Sequence, residues 1–170
     1  MKHCTVCGAA LQMRFLQDEG KEIPFCPVCN DYRFETFNVA VCVAIFTPKH
    51  DKVMMMRQYG RQMYNFLGGY VNKGENAEEA LVREMKEEMG MTPLCYEPLF
   101  SMYYTPSNTL MLAFYAEVSD EDLSGRKADE VDDVQWFAYT EAQQAVIKGA
   151  VAERLLQEVK NRFTDLQHSF

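Results

Sequence analysis

The sequence predicts an α/β fold, a sandwich of helices around a mixed sheet, with a small cysteine-ligated module in front. Three observations predict it. Two Cys-x-x-Cys pairs, Cys4/Cys7 and Cys26/Cys29, fall within the first 35 residues. From residue 38 onward, short apolar segments with strand character alternate with turn residues. One amphipathic helix interrupts these strands and two more close the chain, an order that places helices on both faces of one sheet.

The cysteine module reads HCTVCGAAL…FCPVCNDY, with 18 residues between its two pairs. Each pair puts two thiolates on one tight turn, and two such turns complete a tetrahedral Zn²⁺ site with no open position. The competing readings are disulfides or a redox pair. A reducing compartment disfavours the first, and two pairs in a short polar segment disfavour the second. Residues 1–35 are therefore read as a structural zinc ribbon that depends on its metal to fold. Lys2, Arg14, Lys21 and Arg33 nearly balance Asp18, Glu19, Glu22, Asp31 and Glu35, so the ribbon lacks the basic footprint of a nucleic-acid binder. Cys42 and Cys95 stand alone in strand-like segments and are expected to be buried, inert thiols.

Residues 36–170 form the second domain. NVAVCVAIFT, at 38–47, reads as a buried strand. KVMMMRQY follows a PKHD turn as a second strand, and QMYNFLGGYV is a third that ends at a glycine-marked turn. A helix comes next. Asn76 and Glu79 make a capping box, and Gly90 suits its C-terminal end. Leu81, Met85 and Met89 recur at four-residue spacing and point one face at the core. Strands are expected near 95–104, 109–118 and 131–137, with Trp136 in the core. TEAQQAVIKG and VAERLLQEVKNRF form two closing helices, with Ile147, Val151, Leu155 and Val159 as an apolar stripe.

The chain has 170 residues, 48% of them hydrophobic, enough for one domain with a real core plus an appendage. The longest apolar run, VAVCVAIF at 39–46, is far shorter than a membrane span. The N-terminus has no signal-peptide core, so the chain is expected in the cytoplasm and not at a membrane. A net charge of −8 disfavours nucleic acid as a general partner. An acidic protein can still bind a phosphate ester by recruiting a cation.

Glu84, Glu87 and Glu88 supply the reason to recruit one. Like charges three or four apart on a helix repel. A solvated acidic face is the bland reading, and Arg83 reaches Glu79 and Glu87 at four-residue spacing. Those pairs leave part of the cluster unexplained. Three hard carboxylates expected to converge on one side of a helix suit Mg²⁺ or Mn²⁺.

The spacing also carries a resemblance. Gly69, Glu75, Arg83-Glu84-Met85, Glu87-Glu88 and Gly90-Met91 match G-x5-E-x7-R-E-U-x-E-E-x-G-U, with U apolar, at every specified position. The chain thus resembles the Nudix hydrolase superfamily. The resemblance implies an α/β/α sandwich and hydrolysis of a nucleoside diphosphate linked to another group. It implies Glu84, Glu87 and Glu88 as metal ligands, one of them or a Glu from another loop as the base, and the Gly69 carbonyl in the metal shell. Glu75 and Arg83 then brace the loop against the helix.

A four-Cys ribbon ahead of this domain resembles the NADH pyrophosphatase branch. In FLGGYVNKGE, Leu67 fills the branch's Leu position, while Tyr70 replaces Phe and Asn72 replaces Glu. The branch's SQPWPFPxSLM stretch corresponds to SMYYTPSNTLM, residues 101–111. Ser101, Leu110 and Met111 match, but the centre does not, which puts the NADH preference itself in question. DEVDDVQWF, at 129–137, resembles the branch's EI-x-x-A-x-WF. That places Glu130 either as an extra metal ligand or as a surface carboxylate. Phe66, Tyr103 and Tyr104 are candidates to stack on a base, or core residues. Arg57 is a candidate phosphate contact, or half of an ion pair. The expected substrate is a dinucleotide such as NADH or NAD⁺, with ADP-ribose or a nucleoside triphosphate as alternatives. NAD-capped RNA is the one nucleic-acid partner considered, and a homodimer is an open possibility. A nucleotide sensor without turnover, or a ribbon adaptor that docks to protein, are the readings outside enzymology.

Overall fold

The computed structural model describes residues 1–160, so the NRF at the end of the expected last helix lies outside the described residues. The chain divides into two compact units, Met1–Phe37 and Asn38–Phe170.

The first unit is a three-stranded antiparallel sheet. Its strands are β1 (Gln12–Leu16), β2 (Lys21–Cys26) and β3 (Asp31–Tyr32). Its packed interior is small: Cys4, Ile23, Phe25 and Cys26 are buried, and Arg14 lies over the Phe25 ring at 3.5 Å. So little apolar surface stabilises a fold weakly on its own.

The second unit is built on one mixed sheet. Its elements are β4 (Asn38–Phe46), β5 (Val53–Arg57), β6 (Leu67–Tyr70), α1 (Ala77–Met89), β7 (Cys95–Tyr104), β8 (Thr109–Glu117), β9 (Asp133–Phe137), α2 (Tyr139–Ala145) and α3 (Val151–Glu158). The strand order is β7-β8-β4-β5-β9. β4 runs parallel to β8 and antiparallel to its partners on the other side. On that side β4 forks. Its end, Ile45 and Phe46, pairs with β5, and its start, Ala40 to Val43, pairs with β6.

The two-residue period of β4 divides the core. Val41, Val43 and Ile45 pack with Leu81, Met85 and Met89 of α1, whereas Cys42, Ala44 and Phe46 pack with Ala152, Leu155 and Leu156 of α3. This is the expected sandwich. Its third strand is shorter than expected, because only Asn65 of the preceding residues bridges to Met56. The closing stripe uses Val146, fully buried, with Val151, Leu155 and Val159; Ile147 is only half-buried. Trp136 is likewise half-buried, with its indole N–H on the Glu121 carbonyl at 3.0 Å. Cys42 is buried, and burial pushes its thiol up to about 12. Cys95 is exposed, which corrects the expectation of a buried thiol: it opens the edge strand β7.

The capping chemistry of α1 is local and complete. The Asn76 side chain accepts from the Glu79 N–H at 2.8 Å, and the Glu79 carboxylate accepts from the Asn76 N–H at 2.9 Å. Gly90 ends the helix at φ 68°, where a side chain is disfavoured, and its N–H returns to the Lys86 carbonyl. No helix among the described residues is long and apolar enough to cross a membrane.

Candidate active site

The site forms where β4 forks, against the flank of α1. Glu84 and Glu88, four residues apart on α1, are only 9% and 7% exposed. Glu87 turns outward, with its side chain 58% exposed. Of the expected trio, Glu84 and Glu88 are thus the buried pair and Glu87 lies at the exposed edge. Among the described residues, only the four cysteines form a group of three or more metal-ligating side chains with every ligand atom within 4.8 Å. Arg83 bridges two of the three carboxylates, because one of its nitrogens meets both Glu84 and Glu87, while Glu88 is held by Gln58 instead.

Arg83 uses its whole fork. Nε and Nη2 hold Glu75 at 2.7 and 3.0 Å, Nη1 meets Glu84 at 2.7 Å and Glu87 at 3.1 Å, and Nη2 also reaches the Tyr70 carbonyl at 2.9 Å. Glu75 further accepts from the Asn72 N–H at 2.9 Å. Arg83, followed by that N–H, holds the Glu75 carboxyl below its usual range. The loop 70–76 is thereby tied to α1 by charge-assisted bonds.

Gly69 explains how a carboxylate fits beside a strand. A Cβ at this position would lie 1.9 Å from Glu84 Oε1 and 2.1 Å from its carboxyl carbon. Only a residue without a side chain lets Glu84 sit against β6. Gly68 faces a different neighbour, because a Cβ there would lie 2.5 Å from the Val41 carbonyl oxygen.

Glu88 has the most perturbed carboxylate of the site. Burial, then the charges of Glu84 and Glu130, push it up to about 7, against the pull of Gln58 and Lys127. Gln58, the residue after β5, donates to Glu88 Oε2 at 3.1 Å. Sequence reasoning missed Gln58; it was read only as the tail of a strand. Glu130 pairs with Lys127 at 2.5 Å, and its charge is felt at Glu88. Two buried carboxylates with a third nearby form a hard-oxygen donor set whose repulsion a divalent cation would relieve.

A groove of about 290 Å³ opens beside this point, lined by Gln58, Arg61, Asn65, Gly69, Tyr70 and Tyr104 among others. Tyr104 is half-buried there, while Tyr103 is half-exposed and its hydroxyl bonds the Asn108 side chain. Phe66 also borders the groove but is 2% exposed and packs in the α2/α3-side core, so its ring is committed to packing. Arg57 is committed too. It pairs with Asp133 at 2.9 Å and lies over the Tyr64 ring at 4.9 Å, which is the ion-pair alternative for this residue.

In the first unit, Cys4 and Cys29 approach to 3.9 Å and Cys7 and Cys26 to 3.5 Å, all four as free thiols. Backbone N–H groups, Cys7 first, lower Cys4 to about 6, with help from Arg33 at 3.2 Å. The neighbouring thiols, led by Cys7, raise Cys29 to about 12. Four sulfurs that cannot all ionise side by side are a donor set that could hold zinc.

Fold and site together define a class. Residues 36–158 match the NUDIX domain, and the chain belongs to that family. Its relatives include NAD-capped RNA hydrolase NudC of Pseudomonas aeruginosa, 26% identical over 157 residues, covering 91% of this chain and 54% of the relative. The NudC of Stutzerimonas stutzeri is 23% identical over 92% of this chain and 55% of its own length. The chain thus spans about half the length of the curated relatives it matches. A NUDIX hydrolase structure from Nitrosomonas europaea superposes with a TM-score of 0.69 at 19% identity, covering 99% of this chain and 94% of that one. The NUDIX domain of Shewanella oneidensis NrtR, solved with ADP ribose, gives 0.64 at 17% identity, covering 81% and 93%. At these identities the structural likeness is one of fold.

Proposed function

We propose that this chain is a divalent-cation-dependent pyrophosphohydrolase that cleaves a nucleoside diphosphate linked to another group, with an NADH- or NAD⁺-type dinucleotide as substrate. The observation that carries the reading is the buried pair Glu84 and Glu88, with Glu84 against Gly69 and Glu88 held by Gln58, two residues that also line a groove.

In this reading Glu84, Glu87 and Glu88 hold Mg²⁺ or Mn²⁺, with Glu130 and the Gly69 carbonyl as further oxygens. Such an ion, when bound, neutralises phosphate oxygens and acidifies the attacking water. The rest is the work of the chain. Arg83 and Glu75 fix the loop 70–76, so that Glu84 is presented in one orientation. Gln58 holds one oxygen of Glu88. Glu88, buried and held at one oxygen by Gln58, is the carboxylate we assign to take the proton of the attacking water. The water oxygen bonds to one phosphorus, the bridging P–O bond breaks, and the second phosphate leaves with its nucleoside. A dinucleotide yields AMP and nicotinamide mononucleotide. Tyr104 and Tyr103 remain base-stacking candidates, and the four cysteines hold a structural Zn²⁺.

One observation favours a second substrate. The stretch 102–107, MYYTPS, departs from the NADH-branch pattern at the groove, and ADP-ribose needs no pocket for a nicotinamide. The purified protein is incubated with Mg²⁺ or Mn²⁺ and, separately, NADH, NAD⁺, ADP-ribose and the nucleoside triphosphates, and products are resolved by chromatography. AMP and reduced nicotinamide mononucleotide from NADH, formed faster than products from the others, support the dinucleotide reading. Faster turnover of ADP-ribose replaces it with the second. No turnover of any of them overturns the enzymatic proposal.

A further inference from the structure

We propose that Arg61 is the phosphate-binding side chain of the groove, an inference that rests on the diphosphate reading above. Its guanidinium neutralises the phosphate that the carboxylate-held cation does not reach. Among the described residues, Arg61 is the one basic side chain that lines the groove.

The cations nearest the carboxylates are already engaged. Arg83 is spent on Glu75, Glu84 and Glu87, Arg57 on Asp133 and Lys127 on Glu130. Arg61 is exposed, and no described residue pairs with its guanidinium. A diphosphate in a groove whose lining residues Gly69 and Gln58 touch Glu84 and Glu88 meets negative charge. It therefore needs a fixed positive group on the wall as well as a metal. Arginine suits the task, because its planar fork pairs two donors with two phosphate oxygens.

The backbone that carries Arg61 is shaped for placement. Tyr59 and Gly60 are consecutive left-handed residues, at φ 57° and 69°. A bulky residue adopts that conformation at a cost and keeps it only when its surroundings enforce it. Here they do: the Gly60 N–H donates to Asp132 at 2.7 Å, the Asp132 N–H to the Arg57 carbonyl at 2.9 Å, and the Arg61 N–H to the Gln58 carbonyl at 3.2 Å. The same turn carries Gln58, which holds Glu88. One strained, pinned turn thus supplies both a clamp on the Glu88 carboxylate and a cation facing the same groove.

The test uses the full chain and ADP with Mg²⁺ as the probe. Binding is measured by calorimetry for wild type, Arg61→Ala and Arg61→Lys, with melting temperatures recorded alongside. Arg61→Ala is expected to weaken ADP binding about 10- to 100-fold and Arg61→Lys less, with the melting temperature kept. With the best substrate of the panel, KM rises in the same order while kcat changes far less. Wild-type affinity in both variants overturns the proposal, and so does a wild type that does not bind ADP. A wild type that hydrolyses no diphosphate, yet loses ADP affinity in Arg61→Ala, sinks the enzymatic reading and supports this one.

Discussion

A single methyl group at Gly69 separates site from scaffold. In Gly69→Ala the new Cβ would lie 1.9 Å from Glu84 Oε1 and 2.6 Å from Oε2. Ordinary contact begins near 3.4 Å, so the carboxylate has to retreat by about 1.5 Å. The obstacle is the end of a side chain, and φ at Gly69 lies outside the left-handed region. The backbone therefore accepts alanine, and Glu84 gives way. Its 2.7 Å bond to Arg83 has to bend or break as it moves. Misplacing a reacting group by about 1 Å can cost roughly 100-fold in rate, equivalent to about 2.7 kcal/mol. The assay is kcat/KM on the best substrate across a Mg²⁺ titration, with a thermal melt on the same sample. The expected result is a roughly 100-fold loss with a melting shift of no more than about 2–4 °C. Gly68→Ala is the control. Its Cβ meets the Val41 carbonyl at 2.5 Å, backbone locked in the β4–β6 ladder, so it should destabilise by about 1–3 kcal/mol. Activity of Gly69→Ala within threefold of wild type, or a loss that merely tracks unfolding, would refute the reasoning.

Three further outcomes are expected. Glu88→Gln removes the proposed base and one proposed ligand oxygen, and should lower turnover at least about 100-fold without a cooperative loss of structure; an unchanged rate would remove Glu88 from the chemistry. The purified chain should carry about one zinc per molecule, and Cys26→Ser should lower that content and expose residues 1–37 to protease; full zinc content in that variant would refute the four-cysteine site. Because Arg83 depresses the Glu75 carboxyl, its stabilising contribution is present above the ordinary value of about 4.5 and is lost as pH falls through the depressed one. Glu75→Gln should therefore flatten the acid limb of the melting-temperature profile, and an identical limb in both proteins would show that the pair contributes nothing there.

Sequence legibility followed the range of the interaction. The bounds of α1 were readable because Asn76, Glu79 and Gly90 act on backbone within one turn. β8 was readable because LMLAFYA, residues 110–116, is a continuous apolar run, and β7 because aromatic residues dominate its second half. The outward turn of Glu87 was missed although helical geometry contains it. Glu87 and Glu88 are one step apart, about 100° around the helix, whereas Glu84 and Glu88 nearly align. The Arg83–Glu75 bond spans eight residues and a loop, so four-residue spacing could suggest only Glu79 and Glu87 as partners. Phe66 and Arg57 were ambiguous for the same reason. Whether an aromatic or a cation faces a groove or a neighbour is decided by α2 and β9, distant in sequence.

The fork in β4 makes the site possible. A strand that paired with one neighbour along its whole length would satisfy its backbone and leave no gap. β4 instead gives Ile45 and Phe46 to β5, and Ala40 to Val43 to β6. The chain must leave the sheet after Arg57 and return at Leu67, and that departure is where Gln58 and Arg61 stand. On the returning strand, Gly68 and Gly69 allow close approach on two sides, to the Val41 carbonyl and to the Glu84 carboxylate. The carboxylates come from a helix whose other face is fixed by Leu81, Met85 and Met89 in the core. Rigid packing thus sets the positions of Glu84 and Glu88, while the departing turn sets what faces them. Changes at Gln58 should accordingly alter turnover and changes at Arg61 substrate affinity, both with little effect on melting, whereas changes at Leu81 or Met85 should lower activity and melting together.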